Sequence, residues 1–210
     1  MQIGKLALKF DVMRHMLAGG NLGFISARSN KSPTQDQFFV TDQMSEVKLG
    51  EATTGSVLFP LWLHPDEGKP ASAQGQDQLF AAQGQQAVVG NIGEKIKDRI
   101  LSALGLAYVD EDRGDLKATV GARDIFDYAY AVVHSPSYRL RYADFLRSDY
   151  PRIPIVTNLD AFRELVRFGQ TLVELHTLNG QPNVAGSTPT LTKGTNKIDA
   201  IPVSQRWEAM

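Results

Sequence analysis

The chain contains no cysteine, which rules out disulfides, thiolate metal ligands and thiol nucleophiles. A cysteine-free chain is expected in a reducing compartment. No apolar run comes near the roughly 20 residues that a membrane helix requires. The first ten residues carry Lys5 and Lys9 but neither a long apolar stretch nor a small-residue cleavage site. A secretory leader is therefore not expected, and a cytoplasmic location is. Charge of one sign is also missing, because the formal net charge is −1. Free-standing DNA-binding domains are usually visibly basic, so any nucleic-acid reading has to rest on a local patch.

Motifs for common chemistries are absent too. An S-adenosylmethionine-dependent methyltransferase needs a Gly-rich turn after its first strand to hold the cofactor. An adenine-N6 enzyme also needs an Asn/Asp-Pro-Pro-aromatic turn to grip the amine of a flipped base. Neither pattern occurs, nor does a phosphate-cradling Gly-x-x-x-x-Gly-Lys-Ser/Thr loop. The histidines His15, His64, His134 and His176 lack metal-ligand spacing. No catalytic residue, metal or cofactor is expected for this chain by itself.

One local feature weighs against a wholly inert reading. Glu46-Val47-Lys48 matches half of the site of many metal-dependent nucleases, where carboxylates hold Mg²⁺ and Lys stabilises charge. Asp36 or Asp42 would complete it. The acidic run Asp110-Glu111-Asp112, beside Arg113-Gly114-Asp115, reads as a solvated turn.

Charge is sorted along the chain. Up to Lys31 there are five basic residues, Lys5, Lys9, Arg14, Arg28 and Lys31, against Asp11 alone. The stretch that follows, to residue 93, has two basic residues against seven acids.

Periodicity predicts an α+β fold, with a strand-rich N-terminal half packed on a helical C-terminal half. The first part spans residues 1–90, with a flexible Gln/Gly/Ala/Ser-rich loop at about 66–86; the helical part spans 91–178, and 179–210 is an extended tail with one strand at 197–203. Residues 10–17 read as a short helix stopped by Gly19-Gly20. Residues 21–26, 38–41 and 57–63 read as strands, the last interrupted by Pro60, which argues for an edge or a bulge. Helices are expected over 92–104, ended by Gly105, and over 122–134, where apolar residues cover most of the circumference. Ser135-Pro136 starts another helix through Tyr138, Tyr142, Phe145 and Leu146. Pro151-Arg152-Ile153-Pro154 is an extended linker in which Arg152 is a candidate anchor, and Asn158 caps a last helix from Phe162 to His176. Tyr128, Tyr130, Tyr138, Tyr142 and Phe145 are expected in the core.

Several of these segments together resemble one family. They are the run Asp124-Ile125-Phe126-Asp127-Tyr128-Ala129-Tyr130 through His134-Ser135-Pro136-Ser137-Tyr138-Arg139 and on to Phe145-Leu146-Arg147-Ser148-Asp149-Tyr150-Pro151-Arg152-Ile153-Pro154. Val12 to Leu17, Asn21-Leu22-Gly23, Phe59-Pro60-Leu61, Pro65-Asp66-Glu67 and residues 162–176 add to it. Over residues 10–178 the chain resembles the C-terminal specificity region of type ISP restriction-modification enzymes and their adenine-specific DNA methyltransferase relatives. The resemblance implies a target recognition domain that reads double-stranded DNA beside an upstream methyltransferase core. S-adenosylmethionine is then expected only in the full-length enzyme, and no membrane partner is implied.

On that expectation the candidate DNA contacts are Arg14, Arg28, Asn30 and Lys31, with Lys95, Lys97 and Arg99 as secondary phosphate contacts. Arg28 to Ser32 follows a strand and precedes Pro33, so an exposed recognition loop is expected there. Arg suits guanine and Asn suits adenine through paired hydrogen bonds. The competing readings are a nuclease fragment around Glu46 and Lys48, and a helical docking or scaffold fragment.

Overall fold

Alternating residues with a β-branched and aromatic bias build the centre of the molecule. In the computed structural model, which describes residues 12–31, 37–49, 54–65 and 87–179, β1 (Gly23–Ala27) is flanked by β2 (Phe38–Thr41) and β3 (Ser56–Pro60). The sheet is antiparallel, in the order β2-β1-β3. Its register opposes Phe24 to Val40 and Phe59, and Ile25 to Phe39 and Leu58. Side chains alternate across a strand, so these pairs point to opposite faces. The Ile25 and Leu58 face packs on Met16 of α1, residues 12–17, with Val12, Met13 and Phe39 at its margin. The Phe24 face stacks on Phe38 and meets Phe126 and Tyr130 edge-on, at ring separations of 6.4 and 6.0 Å. The sheet is thus covered on both sides.

Residues 57–63 do not form one strand. The chain turns at Leu61, after the edge strand that ends in Pro60, and resumes as β4 (Trp62–Leu63), which pairs with β5 (Val89–Gly90). Buried Asn21 holds this corner. Its Oδ1 accepts from the Leu22 and Trp62 amides at 2.8 and 3.0 Å, and its Nδ2 donates to the His15 and Trp62 carbonyls. Every polar atom of the side chain is used, as burial requires.

The helical half follows. α2 (Glu94–Leu104) ends at Gly105, whose φ of +67° forms a left-handed cap. Ile96, on the predicted apolar stripe, is 48% exposed, while Ile100 is buried. The parallel pair β6 (Ala107–Tyr108) and β7 (Thr119–Val120) leads into α3 (Ala122–His134). Ten of its 13 residues are buried, so it is the most enclosed helix among the described residues. α6 (Leu159–His176), capped by Asn158 Oδ1 on the Ala161 amide, lays Phe162, Val166, Gly169 and Val173 against it. At Gly169 the backbones nearly touch: an added Cβ would overlap the Asp127 carbonyl.

Between these two helices the expected single helix is divided into α4 (Pro136–Arg141) and α5 (Ala143–Leu146), because Tyr142 leaves helical backbone at φ −111° and ψ 20°. Pro136 does occupy the first turn, but the Ser135 hydroxyl pairs with Ser137 Oγ rather than capping a backbone amide. Tyr128, Tyr130 and Tyr138 are buried as expected, whereas Tyr142 is 38% exposed. Among the described residues no helix is long and apolar enough to cross a membrane. The loop expected at 66–86 and nearly all of the tail expected at 179–210 lie outside the described residues.

Candidate nucleic-acid interface

The predicted contact residues fall into two groups, on different elements. Arg14 projects from α1, half-buried, and Nη1 donates to the Pro65 carbonyl at 3.1 Å. It ties α1 to the chain beyond β4. Arg28 leaves the end of β1 with 74% of its side chain exposed, and its Nε lies 3.7 Å from Asp149 Oδ1. Lys31 is exposed. On α2, Lys95 and Arg99 face solvent. Lys97 is held: Nζ bonds Glu94 at 2.9 Å and lies 4.2 Å above the Tyr108 ring. The Glu94 hydrogen bond raises its pKa.

Asn30 departs from the expectation of an exposed loop. It is 2% exposed, and its side-chain amide donates to Gln37 Oε1 at 2.6 Å. Gln37, also buried, passes the link to the Leu146 carbonyl at 2.7 Å, while the Asn30 backbone amide donates to the Arg147 carbonyl. A buried amide must spend its hydrogen bonds inside, so Asn30 has none to offer a base edge in this arrangement. Its role is to fasten the 28–31 loop to the end of α5.

That fastening creates a cluster that sequence reasoning missed. The segment after α5 brings Arg147, Asp149, Tyr150 and Arg152 beside the Arg28 loop. Arg152 was a candidate anchor, yet its side chain is 81% exposed and Nη2 stands 4.0 Å from Asp149 Oδ2, too far for a hydrogen bond. What anchors there is its backbone, since the Arg152 carbonyl accepts from Tyr138 Oη at 2.9 Å. The guanidinium lies over the Phe145 ring at 4.8 Å. Beside it, Tyr150 meets Phe59 of the edge strand β3 edge-on at 5.8 Å, and Phe59 is 40% exposed. Exposed arginines suit a nucleic-acid backbone, whose phosphates match the planar guanidinium fork. The only sequence signal was the pair of arginines flanking Asp149, and nothing in it pointed to Arg28.

Other titratable groups are committed elsewhere. Arg113 forks between Asp124 and Asp127 at 3.0 and 2.6 Å, and Arg123 takes the second Asp127 oxygen at 3.0 Å. Burial works against the Arg113 charge, but Asp127 and Asp124 outweigh it and its pKa rises. The acidic run Asp110-Glu111-Asp112 before Arg113 is exposed, as expected of a solvated turn. Asp115 closes its own turn by accepting from the amides of Lys117, Ala118 and Thr119, which pull its pKa far down.

At the far end of α3, His134 Nδ1 lies 2.9 Å from Arg139 Nη2, and Tyr130 Oη lies 2.6 Å from His176 Nδ1. Arginine can only donate, so His134 is neutral with its proton on Nε2. Burial, then Arg139 and His176, lower its pKa to about 4. Glu46 Oε2 accepts the Lys48 amide at 2.8 Å within its own turn, and Asp42 bonds Asn179. Among the described residues no three His, Cys, Asp or Glu side chains are placed to hold a metal; Asp36 lies outside them.

The family described as the type ISP C-terminal specificity domain matches residues 5–209. A solved cryo-EM structure of a DrdV–DNA complex is similar with a TM-score of 0.55 at 22% identity, over 80% of this chain and 13% of that chain. At that identity the likeness is one of fold, and this chain corresponds to a small part of the longer protein. No match was found among curated proteins.

Proposed function

We propose that this chain, which belongs to the family of type ISP C-terminal specificity domains, reads a sequence in double-stranded DNA for a larger restriction-modification enzyme. The observation that carries this reading is the family match along nearly the whole chain. The fold shared with a chain solved on DNA supports it. In this reading an adenine-N6 methyltransferase core, on the same or another polypeptide, binds S-adenosylmethionine and modifies the base. The present chain supplies the address and has no chemistry of its own.

The physical division of labour follows from the side chains. Arg28, Lys31, Lys95 and Arg99 are exposed and serve as phosphate contacts, which set position and orientation without reading sequence. Arg14 and Lys97 are part of the same predicted set, but each must first give up an internal partner. Four exposed cations, one phosphate each, give a salt slope of about −3.6 for the logarithm of the binding constant.

The test is anisotropy of a labelled duplex against salt. A slope near that value supports DNA recognition, while a docking or scaffold fragment would show no salt-dependent DNA affinity. Selection from a random duplex pool must then return a preferred sequence. Calorimetry should give no tight binding of S-adenosylmethionine, and micromolar affinity would defeat the non-catalytic reading.

A further inference from the structure

We propose that Arg28 and Arg152 form a two-armed site for a DNA backbone phosphate, and that Asp149 holds both arms in the free protein and yields them to the phosphate. The proposal rests on the DNA-recognition reading and names a site within it.

Two cations share one carboxylate here, at 3.7 and 4.0 Å, with side chains 74% and 81% exposed. Those distances are ion pairs rather than hydrogen bonds, so the donors of both guanidiniums remain open to an acceptor with better geometry. A phosphodiester offers one negative charge and two oxygens, and arginine binds such a group through its planar fork. The site is preorganised from below. Asn30 and Gln37 clamp its two segments through the Arg147 and Leu146 carbonyls. Phe145 supports the Arg152 plane, and Tyr138 fixes the Arg152 carbonyl. Asp149 is itself oriented, because its Oδ1 accepts the Tyr150 amide at 2.9 Å. Exposed pairs of this kind contribute little to stability, so the arrangement is not explained by folding.

The experiment uses the 210-residue chain and a random-sequence duplex, titrated between about 50 and 200 mM salt. Arg28→Ala with Arg152→Ala should make the slope shallower by about 0.9, the value for one lost phosphate contact. The loss should be uniform across sequences, with an unchanged melting temperature. Asp149→Asn keeps the Oδ1 acceptor for Tyr150 and removes the competing charge. It should keep the slope and tighten binding by up to about fivefold. If the wild-type chain binds and the double variant keeps its slope, the phosphate site is overturned while the DNA reading stands. Unchanged or weaker binding by Asp149→Asn overturns the holding role of Asp149. No binding by the wild-type chain overturns both the site and the DNA reading.

Discussion

Replacing Gly169 by alanine tests the closest approach in the fold. On an exposed helix face this change would stabilise by about 1 kcal/mol, because glycine is a poor helix former. Here the added Cβ would overlap the Asp127 carbonyl oxygen and stand 2.5 Å from its carbon and 3.0 Å from Asp127 Cα, where ordinary contact begins at 3.4 Å. All three atoms are backbone of α3, so no rotamer change relieves the overlap. The helices must separate, which loosens the packing of Phe162, Val166 and Val173 on α3. Overpacking typically costs about 1–3 kcal/mol and more when backbone must move. Taking about 3 and subtracting the propensity gain leaves a loss of about 2 kcal/mol or more. Urea unfolding should show a lower midpoint with an unchanged slope. Thr171→Ala, on the exposed face of the same helix, should change stability by only a few tenths of a kcal/mol, about the propensity difference. An unchanged midpoint for Gly169→Ala would refute backbone contact between α3 and α6.

Two further outcomes follow from buried titratable groups. His134 has its folded pKa depressed to about 4 from 6.5, so its contribution is fully present above pH 6.5. It is lost as pH falls towards 4, because the unfolded chain takes the proton and the folded chain does not; the loss is about 3 kcal/mol. The lowered pKa of His176 acts in the same direction. His134→Gln should flatten the decline in unfolding free energy between pH 7 and 5, and an equally steep decline would mean that the ring is not buried neutral. Arg113→Ala strips one partner from each of two buried carboxylates. Asp127 keeps Arg123, and Asp124 keeps the Gly114 and Gly121 amides, so the loss belongs at the lower end of the range, about 3 kcal/mol. A calorimetric loss below about 1 kcal/mol would mean that solvent screens the network.

Local patterning determined most of the elements. Gly105, Asn158 and the apolar circumference of residues 122–134 marked their helices because caps and periodicity act within a few residues. The family resemblance was legible for the same reason, in one continuous run from Asp124 to Pro154. Sequence could not divide 57–63 at Leu61, because buried Asn21, far away in the chain, holds that corner. Nor could it split the helix at Tyr142.

The candidate site was legible in kind but not in membership. Arg28 was singled out because a basic loop after a strand is a local signal. Asn30 was misplaced because its burial depends on Gln37 and on the carbonyls of Leu146 and Arg147, which sequence separation hides. Arg152 and Asp149 join Arg28 only when the sheet and the segment after α5 meet. Periodicity reports which face of an element is buried. What two distant segments present together is decided by packing, and that is where this surface is made.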